Sequence, residues 1–201
     1  MGVQTDVQVK FIADENAADP DRLVTAARPN TSATMATTTF LGGGARNVTV
    51  TTAGTGDNGK TCTITGEDVF GNAMTEVITS TGSAEAVAGA KLFLTVSAVE
   101  CSAQYAANIT VGSGSLCASE VAGGGRTRLK GYSIVSAGTA GLVDFYNGTP
   151  EDGTIIFKAQ TIGTDNSTVD NTIPDEGMLF KSGLAVGYTV ATVVLANVFF
   201  A

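Results

Sequence analysis

Three carboxylates fall close together in the second half of the chain, Asp144, Glu151 and Asp152. A pair of carboxylates can divide acid and base roles, as in glycoside hydrolysis. Asp144 sits between Val143 and Phe145 in an alternating run, so its side chain points to the face opposite theirs. That placement predicts an outward-facing or cross-strand-paired acid. The chain also has no histidine, the commonest acid–base group near neutral pH. We therefore expect a non-enzymatic protein with no catalytic residues. A second cluster, Gly163-Thr-Asp165-Asn166-Ser-Thr-Val-Asp170-Asn171, gathers oxygen ligands of the kind calcium prefers. It lacks the EF-hand order and its closing glutamate, which favours a loop held by side-chain-to-backbone hydrogen bonds. Calcium near Asp165 and Asp170 stays open as an alternative.

The remaining chemistry-bearing motifs are weaker. The glycine runs at 42–44 and 123–125 are not followed by Lys-Ser or Lys-Thr before a helix, so neither reads as a phosphate loop. Cys62, Cys101 and Cys117 are odd in number and form no CxxC pair. A complete disulfide framework and a zinc site are both disfavoured, and reduced, structural cysteines are expected. No metal and no cofactor are expected. With no tryptophan, a sugar-stacking platform is poorly supplied. Tyr105, Tyr132, Tyr146 and Tyr188 read as core or interface residues.

What is left is contact with other proteins. Arg126-Thr-Arg128-Leu-Lys130 clusters three cations, either guarding a strand edge or docking an acidic partner surface. Val7, Val9 and Phe11 form an apolar row at period 2, opposite Asp6, Gln8 and Lys10, which predicts a half-buried strand. With Arg28, these residues make up the expected partner interface.

Composition supports this direction. Of 201 residues, 43% are hydrophobic and only 15% charged, against about a quarter charged in ordinary soluble domains. Such a surface suits a protein buried against partners. The net charge of -8 argues against nucleic-acid binding. The first six residues lack the basic start and the apolar core of a signal peptide, so synthesis in a cytoplasm is expected. The apolar stretch 184–201 is interrupted by Tyr188, Thr189, Thr192 and Asn197, which reads as a strand and not a membrane span.

The elements that would position these residues are strands. Short Val/Thr-rich runs separated by Asp57-Asn58-Gly59 and Glu67-Asp68-Val-Phe-Gly71-Asn72 predict an antiparallel meander. Asp19-Pro20 predicts a short helix through Ala27, stopped at Arg28-Pro29. Residues 83–90 allow one or two helical turns, and Leu92 to Val99 reads as one long strand. The expected fold is all-β: two small antiparallel sandwich or jelly-roll-like domains with an extended N-terminal segment. An N-terminal domain spans 1–122, with a loop or arm at 13–40 reaching a neighbouring subunit. A glycine linker follows at 123–125 and a C-terminal domain at 126–201. In the latter, strands are expected at 128–136, 141–147, 154–161, 178–181 and 188–200. Removing 1–40 is expected to weaken assembly and leave the C-terminal domain folded.

Two segments carry a resemblance. Arg46-Asn-Val-Thr-Val-Thr…Thr63-Ile-Thr-Gly-Glu-Asp-Val-Phe-Gly-Asn72 and Arg128-Leu-Lys-Gly-Tyr-Ser-Ile-Val…Val143-Asp-Phe-Tyr-Asn-Gly148 resemble small virion proteins of tailed bacteriophages. Ile173-Pro-Asp-Glu-Gly-Met-Leu-Phe-Lys-Ser-Gly183 fits the same style. Together they cover about half of the chain and encode turns rather than chemistry. The resemblance implies a structural role on the particle, with no catalytic residues to carry over. The expectation is a capsid decoration (cement) protein on the virion surface, binding the major capsid protein as a homo-oligomer, with a trimer as the expected form. A tail, neck or fibre-adaptor component and a host- or glycan-binding adhesin are the alternatives.

Overall fold

The computed structural model describes residues 7–13 and 17–201. Asp6 of the sequence reading and positions 14–16 of the expected arm lie outside these residues. In chain order the strands are β1 (Gln8–Ile12), β2 (Val24–Ala27), β3 (Ala45–Thr52), β4 (Thr61–Glu67), β5 (Ala73–Thr79), β6 (Ala86–Phe93), β7 (Thr95–Cys101), β8 (Ile109–Ala122), β9 (Thr127–Ser136), β10 (Leu142–Asn147), β11 (Thr154–Gln160), β12 (Thr168–Thr172), β13 (Met178–Phe180), β14 (Leu184–Thr189) and β15 (Val193–Phe200). The fold is all-β, with several antiparallel sheets and no closed barrel. No α-helix occurs among the described residues.

The chain divides into two compact units, 17–116 and 117–201 together with the N-terminal strand. The division falls inside β8, between Leu116 and Cys117, and not at the glycine run 123–125. That run links β8 to β9 within one unit. A glycine run marks a turn as readily as a domain linker, and composition alone does not separate the two.

In the first unit, a sheet ordered β5-β4-β7 and the strands β2, β8, β3 and β6 supply one core. Leu23, Val24, Phe40, Val48, Ile64, Phe93, Val99, Tyr105 and Ile109 are buried in it. The predicted turns form where expected. Gly59 takes a φ of 78°, the left-handed region that glycine tolerates. Asp68 closes the next turn: one carboxylate oxygen accepts from the backbone N–H groups of Phe70 (2.8 Å) and Asn72 (2.9 Å). The long strand expected at 92–99 is broken, because Leu94 donates its N–H to Glu67 and the chain turns from β6 into β7. Gly66 permits that corner, since a Cβ there would lie 2.0 Å from the Thr95 carbonyl oxygen.

The helix expected at 20–27 does not form; a turn leads into β2. Eight residues give little return on the cost of nucleating a helix. The Asp19 backbone instead bonds Ser113, donating to its hydroxyl at 3.0 Å and accepting from its N–H at 2.7 Å. Leu23 and Val24 are then both buried. The turns allowed at 83–90 are likewise replaced by β6. Residues 31–38 run along the outer side of β7, where Cys101 donates to Thr31 (2.7 Å), Ala33 to Val99 (2.9 Å) and Val96 to Thr38 (2.9 Å). The segment expected to reach a neighbour is, in its described part, a strap on its own unit. Removing 1–40 would strip this strap as well as β1, so it is not a selective test of assembly.

Asp57 is fully buried and pairs with Lys60 Nζ at 2.8 Å. Its carboxylate also accepts from the Ala106 N–H at 2.6 Å. Burial alone pushes this carboxyl upward, but Lys60 and the N–H groups of Ala106 and Ala107 outweigh it and hold the pKa below the ordinary value. A depressed carboxylate contributes stability that is complete above its unfolded pKa and is lost as pH falls through the folded one. Asp57→Asn is expected to cost about 1–3 kcal/mol at pH 7 and to flatten the fall in stability between pH 5 and about pH 3. Urea titrations at both ends of that window check this, and an unchanged acid slope would refute the role given to Asp57.

In the second unit, one sheet has the order β1-β15-β9-β12, with β13 also on β9. The strands β11, β10 and β14, in that order, lie beside the end of β8. Both sets feed one core around Leu129, Ile134, Val143, Phe145, Phe180, Leu184, Val186 and Val198, compatible with the expected sandwich. Tyr132 of β9 meets Phe145 of β10 and Phe157 of β11 with ring centroids 5.6–5.7 Å apart. The single strand expected at 188–200 is two strands, interrupted by a 3-10 turn at Val190–Thr192.

Candidate partner-docking surface

Of the two arrangements expected for Asp144, the cross-strand pair is the one observed. Asp144 pairs across strands with Lys158 at 3.1 Å, in direct register between β10 and β11. The calcium-like segment is partly a strand, since Asp170 and Asn171 belong to β12. Among the described residues, no group of three or more His, Cys, Asp or Glu side chains is placed to hold a metal ion. No helix among them is long and apolar enough to cross a membrane.

The surface with the clearest functional character is the outer face of the β1-β15-β9-β12 sheet. The alternation in β1 is as read from sequence, but the apolar row faces outward. Val7, Val9 and Phe11 are 53%, 57% and 57% exposed, while Ile12 on the other face is 3% exposed. Period 2 defines two faces without saying which is inward. Here the antiparallel register with β15 turns the face carrying Ile12 into the core.

The register then sets the neighbours. Val9 is opposite Phe199, itself 37% exposed, and Phe199 is opposite Gly131 of β9, which is opposite Thr172 of β12. In the next row, Phe11, Asn197, Ser133 and Asp170 follow across the same four strands. Val7 and Phe199, with Lys130, Gly131, Ser133 and Asp170, line an open groove of about 480 Å³. No family model, curated protein or solved structure matches the chain.

The cations occupy the end of this sheet. Arg128 forms an ion pair with Glu176 at 2.8 Å, and Lys130 donates to the Asp175 carbonyl at 3.2 Å. Both therefore brace the 175–177 turn, whereas Arg126 is exposed just before β9. Arg28 belongs to the other unit, where its guanidinium donates to the Tyr105 carbonyl at 2.7 Å. Of the seven expected interface residues, Val7, Val9 and Phe11 thus share one face, and Lys130 joins Val7 in the groove. Phe199 and Gly131 were not among them. The apolar character of both faces of the final strand was the available signal for Phe199, since a strand buried on one side only has no need of it.

Proposed function

We propose that this chain is a non-enzymatic virion structural protein of a tailed phage, a decoration protein that binds the assembled capsid shell. The observation that carries this reading is the apolar row of Val7, Val9, Phe11 and Phe199 on the outward face of one sheet, along the edge strand β1 and its neighbour β15. Contiguous exposed apolar patches of this kind mark protein–protein contact. The low charge content and the resemblance of the two strand-turn segments to phage virion proteins supply the kind of partner. Docking this face on the major capsid protein, as a homo-oligomer, would bury the row across subunit junctions. A protein that binds only the assembled shell stabilises that shell by linkage.

Quantitative mass spectrometry of purified particles tests the assignment. Copies in the hundreds, comparable to capsomers, are expected. About a dozen would move the protein to the tail or neck. None would return the reading to a cell-binding module.

A further inference from the structure

We propose that Cys62 and Cys101 form a reversible cross-strand disulfide when the folded chain meets a low-molecular-weight disulfide. The two residues stand in direct register on β4 and β7. Their Sγ atoms are 3.9 Å apart. The backbone pattern shows which kind of ladder site this is. Cys101 donates its N–H away from β4, to Thr31, while the next residue, Ser102, donates to Thr61 at 3.0 Å. Cys62 and Cys101 thus occupy the non-hydrogen-bonded site, where Cα atoms approach to about 4.5 Å and side chains are closest. That separation lies within the range a disulfide spans, and the sulfurs need to close by about 1.9 Å.

The surroundings order the two steps. Cys62 is fully buried and Cys101 only partly so, which leaves Cys101 as the sulfur an outside reagent reaches. The hydrogen bond with Cys62 and burial push the Cys101 thiol up, so Cys101 reacts once the Cys62 thiolate has taken its proton. The Cys101 sulfur then attacks the reagent, forming a mixed disulfide and releasing one small thiolate, which takes the proton held by Cys62. The Cys62 thiolate then attacks the Cys101 sulfur, forming the protein disulfide and releasing the second. Two protein thiols are oxidised, one small disulfide is reduced to two thiols, and the two protein protons pass to those thiols. The neighbouring Cys101 thiol favours the Cys62 thiolate, burial opposes it, and the Tyr105 hydroxyl at 3.1 Å supports it. Tyr105 is in turn held by Ser80 at 3.2 Å. A chain made in a reducing cytoplasm would carry free thiols and would be locked only after exposure to an oxidising medium.

The experiment uses the intact folded chain. It is incubated with oxidised glutathione at pH 8, alkylated, digested without reduction and mapped by mass spectrometry. A 62–101 linked peptide two hydrogens lighter than its parts, reversed by dithiothreitol, is the expected result. Cys62→Ser should instead retain glutathione on Cys101. Closing a loop between residues 39 apart should raise the melting temperature of the oxidised chain by roughly 10 °C. Full alkylation of Cys62 and Cys101, or a persistent glutathione adduct on Cys101 in the unsubstituted chain, would overturn the proposal.

Discussion

Replacing Phe145 with alanine is expected to destabilise the second unit by about 3–5 kcal/mol, a large part of the stability of a typical domain. Phe145 is fully buried and touches both aromatic partners, Tyr132 across the core and Phe157 on the adjacent strand. Its removal loses transfer energy and leaves a cavity that rings from neighbouring strands can only partly fill. Phe157 is only partly buried, so Phe157→Ala should cost less. Urea unfolding of both variants measures the difference. A loss below about 1 kcal/mol at Phe145 would show that the ring cluster is not what joins the core.

The second large effect belongs to the proposed docking face. Val9→Lys combined with Phe199→Lys should lower affinity for assembled shells by about 100-fold or more, because apolar anchors at the centre of an interface carry most of its energy. Val9 is mostly exposed, but Phe199 is only 37% exposed and the two lysines would face each other across β1 and β15, so urea stability should fall by about 1–2 kcal/mol and leave the chain folded. Co-sedimentation with shells stripped of the protein provides the measurement. Undiminished binding with an intact fold would remove this face from the interface. Arg28→Ala, on the other unit, serves as the comparison and should leave shell binding near that of the parent chain.

The all-β character was legible because alternation and turn residues agreed along most of the chain. Val48 and Val50, Cys62 and Ile64, and Val143 and Phe145 all point inward as their period requires. Other features depend on partners far away in sequence. The Asp19 backbone engages Ser113 instead of starting a helix, and nothing near Asp19 announces that bond. β12 was read as a loop because Thr168–Thr172 is polar; it pairs with β9 through its backbone and needs little apolar content as an outer strand. The proposed docking face was half legible. The row in β1 was evident, but its outward orientation follows from the β15 register, which no local pattern encodes. The Cys62–Cys101 register was hidden for the same reason: the two cysteines meet only once β4 and β7 are paired.

The strap along β7 has a bearing on handling the protein. An uncovered strand edge is a template on which other chains can add strands, and the end point of that addition is a fibril. Here residues 31–38 occupy that row of donors and acceptors with backbone from the same chain. Proteolytic nicking between β2 and β3 would leave the three-stranded sheet with a bare margin. Storage losses through turbidity should then track cleavage in this segment rather than global unfolding.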